Sequence, residues 1–153
     1  MGTDMLEKIL IVDNEPDMLK LLSMLIREKT TYEPVTTNNP LEAIELFKQD
    51  GFSLVITEMK MPVLDGMKLL EALKHVDAEM PVIIMTAYGT LESALEAMSK
   101  GAFDFITKPF RKEQILFSIE NALELARLKR ENEILKEQLT THLITDDQVT
   151  MTK

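Results

Sequence analysis

The chain contains no cysteine and no tryptophan, and aromatic residues make up only 5% of it. Without cysteine there is no disulfide framework, no thiolate nucleophile and no sulfur-ligated metal site. Imidazole is almost as scarce: His75 and His142 are the only two histidines, and no serine-histidine-aspartate set can be assembled around His75. Positive charge is also short, with 17 Lys and Arg against 26 Asp and Glu and a formal net charge of −9. That balance argues against direct binding of nucleic acid, which needs clustered basic side chains. The five glycines are scattered, so there is no glycine-rich phosphate loop. No apolar run nears the roughly 20 residues that span a bilayer, and the start, MGTDMLEKIL, lacks the basic-then-apolar layout of a secretory leader. These absences lead us to expect a soluble, cytoplasmic protein with no membrane partner.

What remains is enough for one domain and an appendage: 153 residues, 45% of them hydrophobic. Apolar runs of strand length occur at Ile9 to Val12, Leu54 to Thr57, Val82 to Met85 and Phe103 to Thr107, with a weaker one at Glu33 to Thr37. Their apolarity is continuous rather than alternating, which marks strands covered on both faces. Helix-period stripes lie between them: Met18, Leu21, Leu22 and Leu25, then Ala43, Ile44 and Phe47, then Leu69, Leu70 and Leu73, then Leu91, Ala94, Leu95 and Met98. Pro16 opens the first helix, and Asn39-Pro40 followed by Glu42 offers an N-cap, a first-turn proline and a capping-box acid. Strand and helix alternate five times, which requires parallel strands joined by right-handed crossovers, a doubly wound α/β sandwich.

The last helix, from about Lys112, outruns that sandwich. Ile115, Ile119, Ala122 and Ala126 can cover the sheet, whereas Leu125, Leu128, Asn132, Leu135 and Leu139 follow the 3-4-3-4 spacing of a heptad seam. In a parallel pair, Glu124 and Glu131 would face Lys129 and Lys136 of the second chain, so a homodimer through this helix is expected. The organisation read from sequence is a domain over residues 6–124, a linker and coiled-coil helix over 125–140, and a flexible tail over 141–153.

In open parallel sheets, ligands collect beyond the carboxyl ends of the strands. The strands here deliver Asp13-Asn14-Glu15, Glu58-Met59-Lys60, Thr86-Ala87 and Lys108-Pro109 to that edge. Oxygen donors without sulfur suit Mg²⁺, which takes one or two carboxylates and keeps several waters. A hydroxyl and an ammonium suit phosphoryl oxygens.

At these residues the sequence resembles the receiver domain of two-component response regulators: ILIVDNEPD, LVITEMKMPVLDG, PVIIMTAYGT and FDFITKPF follow one another at the family's spacing. TAYGTLESALEAMSKGAFDFITKPF with the extended LARLKRENEILKEQL helix is similar to the nitrogen-regulatory type, the sigma-54-dependent transcription activators. The resemblance implies a flavodoxin-like five-stranded sheet of order 2-1-3-4-5 and a regulatory role rather than an enzymatic one. It implies transfer of a phosphoryl group from a sensor histidine kinase to the residue at position 58, with Mg²⁺ bound. Asp13 and Asn14 stand at the family's acidic pair and Glu58 at the phosphoacceptor, and Lys60 stands where a backbone carbonyl meets the metal. Thr86 and Lys108 would contact the phosphoryl group, and Phe105 stands at the switch aromatic. The ATPase and DNA-binding domains of such activators are not in this sequence.

Two departures change those expectations. Asn14 replaces a carboxylate and Glu58 an aspartate. Fewer acidic ligands weaken Mg²⁺ binding. Glutamate carries its carboxylate roughly 1.5 Å further, and a misplacement of about 1 Å can cost about 10²-fold in an in-line transfer. Glu58 could instead imitate part of the phosphorylated state, or the chain could be a pseudo-receiver that works as a phosphorylation-independent interaction module. A substituted aspartate and a natural loss of the acceptor both fit.

Overall fold

The computed structural model describes residues 7–151, with side chains described through residue 140. Five strands alternate with five helices: β1 (Lys8–Val12), α1 (Pro16–Lys29), β2 (Glu33–Thr37), α2 (Pro40–Gln49), β3 (Leu54–Glu58), α3 (Gly66–Val76), β4 (Val82–Thr86), α4 (Leu91–Ser99), β5 (Asp104–Thr107) and α5 (Lys112–Met151). The strands form one parallel sheet in the order 2-1-3-4-5, as expected. Residue alternation on the strands sorts the core into two layers. Ile9, Ile11, Leu54, Ile56, Ile83 and Met85 meet α1 and α5 on one face. Leu10, Val12, Val55, Val82 and Ile84 meet α2, α3 and α4 on the other. Every residue of β3 and β4 is buried, which explains their unbroken apolar runs. Among the described residues, no helix is long and apolar enough to cross a membrane.

Local chemistry sets the helix starts. Pro16 sits at the first turn of α1, and Asn39 caps α2 by accepting the Leu41 N–H at 2.9 Å. Glu42 does not complete the expected capping box. Its carboxylate pairs with the Thr37 hydroxyl, and the Asn39 N–H donates to Thr37 Oγ1 instead, at 3.1 Å. A hydroxyl two residues upstream was closer to that N–H than the acid three residues downstream.

α4 corrects the sequence reading more sharply. Leu91, Leu95 and Met98, assigned above to an apolar stripe, are 77%, 62% and 47% exposed, and the small Ala97 is the buried contact. Periodicity shows that a stripe exists but not which way it turns. Here the alanine face gives the closer approach to the sheet.

α5 covers the sheet with Ile115, Ile119 and Ala122 and then runs on. It continues to Met151 rather than stopping near Thr140, because no glycine or proline interrupts it. Residue 6, taken as the domain's start, and residues 152–153 of the expected tail lie outside the described residues. Where α5 leaves the body it is pinned by Lys129 to Glu79 at 2.7 Å and by Arg130 to Glu7 at 2.5 Å. Both acids precede strands, so this anchor lies at the opposite sheet edge from the Asp13 and Glu58 acids. Leu125 is half-buried, while Leu128, Asn132, Leu135 and Leu139 are exposed. Glu124 and Glu131 both pair with Arg127 of their own helix, at 2.6 and 2.8 Å.

Candidate functional site

Parallel strands end in register, so the residue following each strand lands on one rim. β1 delivers Asp13, which is fully buried and whose Oδ1 accepts the Glu15 N–H at 2.9 Å. β3 ends at Glu58, 5% exposed, whose Oε2 accepts the Lys60 N–H at 2.9 Å. The β3–α3 loop closes tightly beneath it: the Gly66 N–H donates to the Met59 carbonyl at 2.7 Å. A Cβ on Gly66 would lie 2.3 Å from the Glu58 carbonyl oxygen and 2.8 Å from Met59 Cα. β4 ends at Thr86, fully buried, whose Oγ1 accepts the Tyr88 N–H at 3.1 Å. The Lys108 N–H donates to the Thr86 carbonyl at 2.8 Å, which ties the end of β5 to the end of β4.

The side chain of Lys108 crosses this rim into the acids. Its Nζ donates to Glu58 Oε1 at 2.6 Å, Asp13 Oδ2 at 3.0 Å and Glu15 Oε1 at 3.1 Å. One ammonium thus meets three carboxylates, two of them buried. Burial opposes the charge on Lys108, but its hydrogen bonds to Glu58, Asp13 and Glu15 outweigh that penalty and hold its pKa above the ordinary value. For Asp13 the balance is reversed. Burial raises its pKa despite the lowering effect of the Glu15 N–H and the Lys108 ammonium.

The structure brings Asp13, Glu58 and Lys108 together. It places Thr86 beside them but, among the described residues, no hydrogen bond joins Thr86 to Glu58. Asn14 is exposed and outside the ammonium's contacts; with Glu15, Glu58, Lys60, Ala87 and Tyr88 it lines an open cavity of about 280 Å³. Phe105, on β5, is half-buried against the α3 and α4 side of the core. Its ring edge lies 3.0 Å from where a Cβ on Gly89 would stand, so that glycine leaves room for the aromatic. Sequence reasoning gave no role to Glu15, although it named the residue at the end of the first strand. Its part depends on a side chain turning back toward Lys108, which spacing does not reveal.

The donor set fits a hard divalent cation. Ligand oxygens of Asp13, Glu15 and Glu58 lie within 4.8 Å of one another. Adjacent ligands around an octahedral Mg²⁺ stand about 2.9 Å apart and opposite ones about 4.1 Å, from its usual bond length of about 2.05 Å, so the three carboxylates would have to draw in around the ion. The Lys108 ammonium shows that a cation is already stabilised among these groups.

The fold and rim define a class: a doubly wound α/β domain with a carboxylate and lysine pocket at the carboxyl edge of its sheet. Residues 9–120 match the family model described as the response regulator receiver domain, and the chain belongs to that family. The regulatory protein AtoC of Escherichia coli strain K12 is 33% identical over 151 residues, covering 95% of this chain and 32% of AtoC. The chain therefore spans about a third of that curated relative. The solved structure of NtrX from Brucella abortus is similar at 32% identity and a TM-score of 0.77, covering 85% of this chain and 29% of that one. The solution structure of the beryllofluoride-activated NtrC4 receiver domain dimer matches at 31% identity and a TM-score of 0.74, covering 78% of this chain and 98% of that one. The resemblance to the receivers of nitrogen-regulatory-type activators holds across these relatives. Receiver domains bind Mg²⁺ through acidic residues, and the acids of this pocket suit that ion.

Proposed function

We propose that this chain is the regulatory receiver of a sigma-54-dependent transcription activator, with Glu58 standing at an aspartate's post in a phosphoryl-accepting pocket. The observation that carries this reading is the Lys108 ammonium held by both Asp13 and Glu58 at the ends of β1 and β3. Asp13 and Glu58 would hold Mg²⁺, with the Lys60 carbonyl at its edge, and the ion would neutralise charge on an incoming phosphoryl group. Lys108 would orient that group from one side and the Thr86 hydroxyl from the other. A sensor histidine kinase is the expected donor, and ATPase and DNA-binding domains are the expected recipients of the signal. Output would travel through Thr86 and Phe105 to α4, β5 and α5, and from there to a homodimer seam at Leu125, Leu128, Asn132, Leu135 and Leu139.

Glu58 imitates only part of a phosphorylated state. It reaches Lys108 but not Thr86, and a carboxylate carries about one charge where a phosphate carries roughly two. It therefore biases the resting and active states incompletely. A phosphorylation-independent interaction module is the alternative. It is favoured by the fact that both Glu58 oxygens are already taken, one by Lys108 and one by the Lys60 N–H.

Beryllofluoride with Mg²⁺ separates the two readings. Amide spectra of Glu58→Asp are expected to shift along β4, β5 and α4 on addition, while the parent chain responds weakly. A Glu58→Asp protein that does not respond would support the interaction module.

A further inference from the structure

Resting on the reading of this pocket as a Mg²⁺-binding receiver site, we propose that Glu15, and not Asn14, supplies the anionic ligand that the acidic pair lacks. Three carboxylates already converge on one cation: Lys108 Nζ lies 2.6 Å from Glu58, 3.0 Å from Asp13 and 3.1 Å from Glu15. The Asn14 side chain takes no part in that convergence.

The local backbone explains why Glu15 is available. It is the N-cap residue of α1, with extended backbone at φ −100° and ψ 113°, yet its side chain caps nothing. Asp, Asn and Ser reach their own helix N–H groups from this position through a short side chain, and glutamate is a poorer cap. The Glu15 carboxylate is thus left without a partner on its own helix and turns to Lys108. The Glu15 N–H meanwhile holds Asp13 Oδ1 at 2.9 Å, so backbone and side chain of one residue serve the same site.

Charge and exposure point the same way. Three carboxylates, one ammonium and one divalent cation sum to zero, whereas an amide in place of the third carboxylate leaves an excess positive charge beside a buried lysine. The Glu15 side chain is 63% exposed, while those of Asp13 and Glu58 are 0% and 6% exposed. A rim carboxylate next to two buried ones suits an ion that keeps several waters on its open side. On cation entry Glu15 exchanges the Lys108 ammonium for the ion, and Lys108 keeps its shorter contact with Glu58.

The test is a titration of the whole chain with Mn²⁺ alone, followed by electron paramagnetic resonance of the free ion, with no phosphoryl donor and with Mg²⁺ as competitor. We expect one displaceable ion per chain. Glu15→Gln is expected to weaken it by at least about tenfold, the lower range for perturbed metal sites, and Asn14→Ala to change it by less than about twofold. Circular dichroism checks that both variants keep the fold. The reverse order, equal losses in the two variants, no Mn²⁺ bound to the parent, or several ions insensitive to Glu15→Gln would each overturn the assignment. None of these outcomes decides whether Glu58 replaces an aspartate, because that is read from the beryllofluoride response of Glu58→Asp.

Discussion

At the scale of single residues, the pocket depends on positions whose chemistry is modest on its own. Gly66 is an example. Its lack of a side chain lets the β3–α3 loop fold against the backbone of Glu58 and Met59, where a Cβ would come within 2.3 Å of a carbonyl oxygen. Backbone atoms cannot step aside as a flexible side chain can. Gly66→Ala is therefore expected to cost about 2 kcal/mol, within the usual range for overpacking, measured by urea unfolding. A loss below about 0.5 kcal/mol would show that the loop has slack. Asp13, Glu58, Thr86 and Lys108 were legible in the sequence because each directly follows or ends a strand, and parallel register puts such residues on one rim. Glu15 was not, because its role comes from a side-chain direction. Asn14, its neighbour, is exposed and lies outside the contacts that Lys108 makes, which spacing does not reveal either.

At the scale of elements, the strands were read well and the helix faces less so. Continuous apolar runs state that both sides of β3 and β4 are covered, and burial at every position agrees. A helical stripe carries less information. On α1 the stripe includes the buried Leu22 and Leu25, whereas on α4 Leu91, Leu95 and Met98 point outward and Ala97 inward. Short helices resting on small residues invert the usual inference, since close approach can outweigh apolar area. The far half of α5 has no sheet to cover, and Leu128, Leu135 and Leu139 stay exposed in a single chain. A second copy would cover them. Replacing Leu128 and Leu135 together by Ala is expected to shift the protein from dimer to monomer in sedimentation velocity while leaving its thermal unfolding nearly unchanged. A parent chain that sediments as a monomer at high concentration would contradict the seam. The pairing of Glu124 and Glu131 with Arg127 of their own helix means that interchain Glu–Lys pairs form only by exchanging partners. Exposed pairs of this kind contribute well under about 1 kcal/mol, so a dimer through this helix would have to be carried by leucine packing rather than by charge.

At the scale of the whole molecule, one sheet separates two side-chain clusters. Its carboxyl edge gathers Asp13, Glu15, Glu58, Thr86 and Lys108, and at its opposite edge α5 meets the body through Lys129–Glu79 and Arg130–Glu7. A signal accepted at the first edge would have to cross the domain, through β5 and the packing of α5 on the sheet, to alter the helix that leaves the second. Phosphoryl transfer at this pocket requires that Glu58 hold an aspartate's place. Intact-mass spectrometry of Glu58→Asp after incubation with acetyl phosphate and Mg²⁺ tests that claim most directly. Glu58→Asp is expected to gain one phosphoryl group, lost on mild alkaline treatment as expected of an acyl phosphate and absent from the parent chain under the same conditions. A Glu58→Asp protein that folds, binds divalent cation and still gains no mass would contradict it.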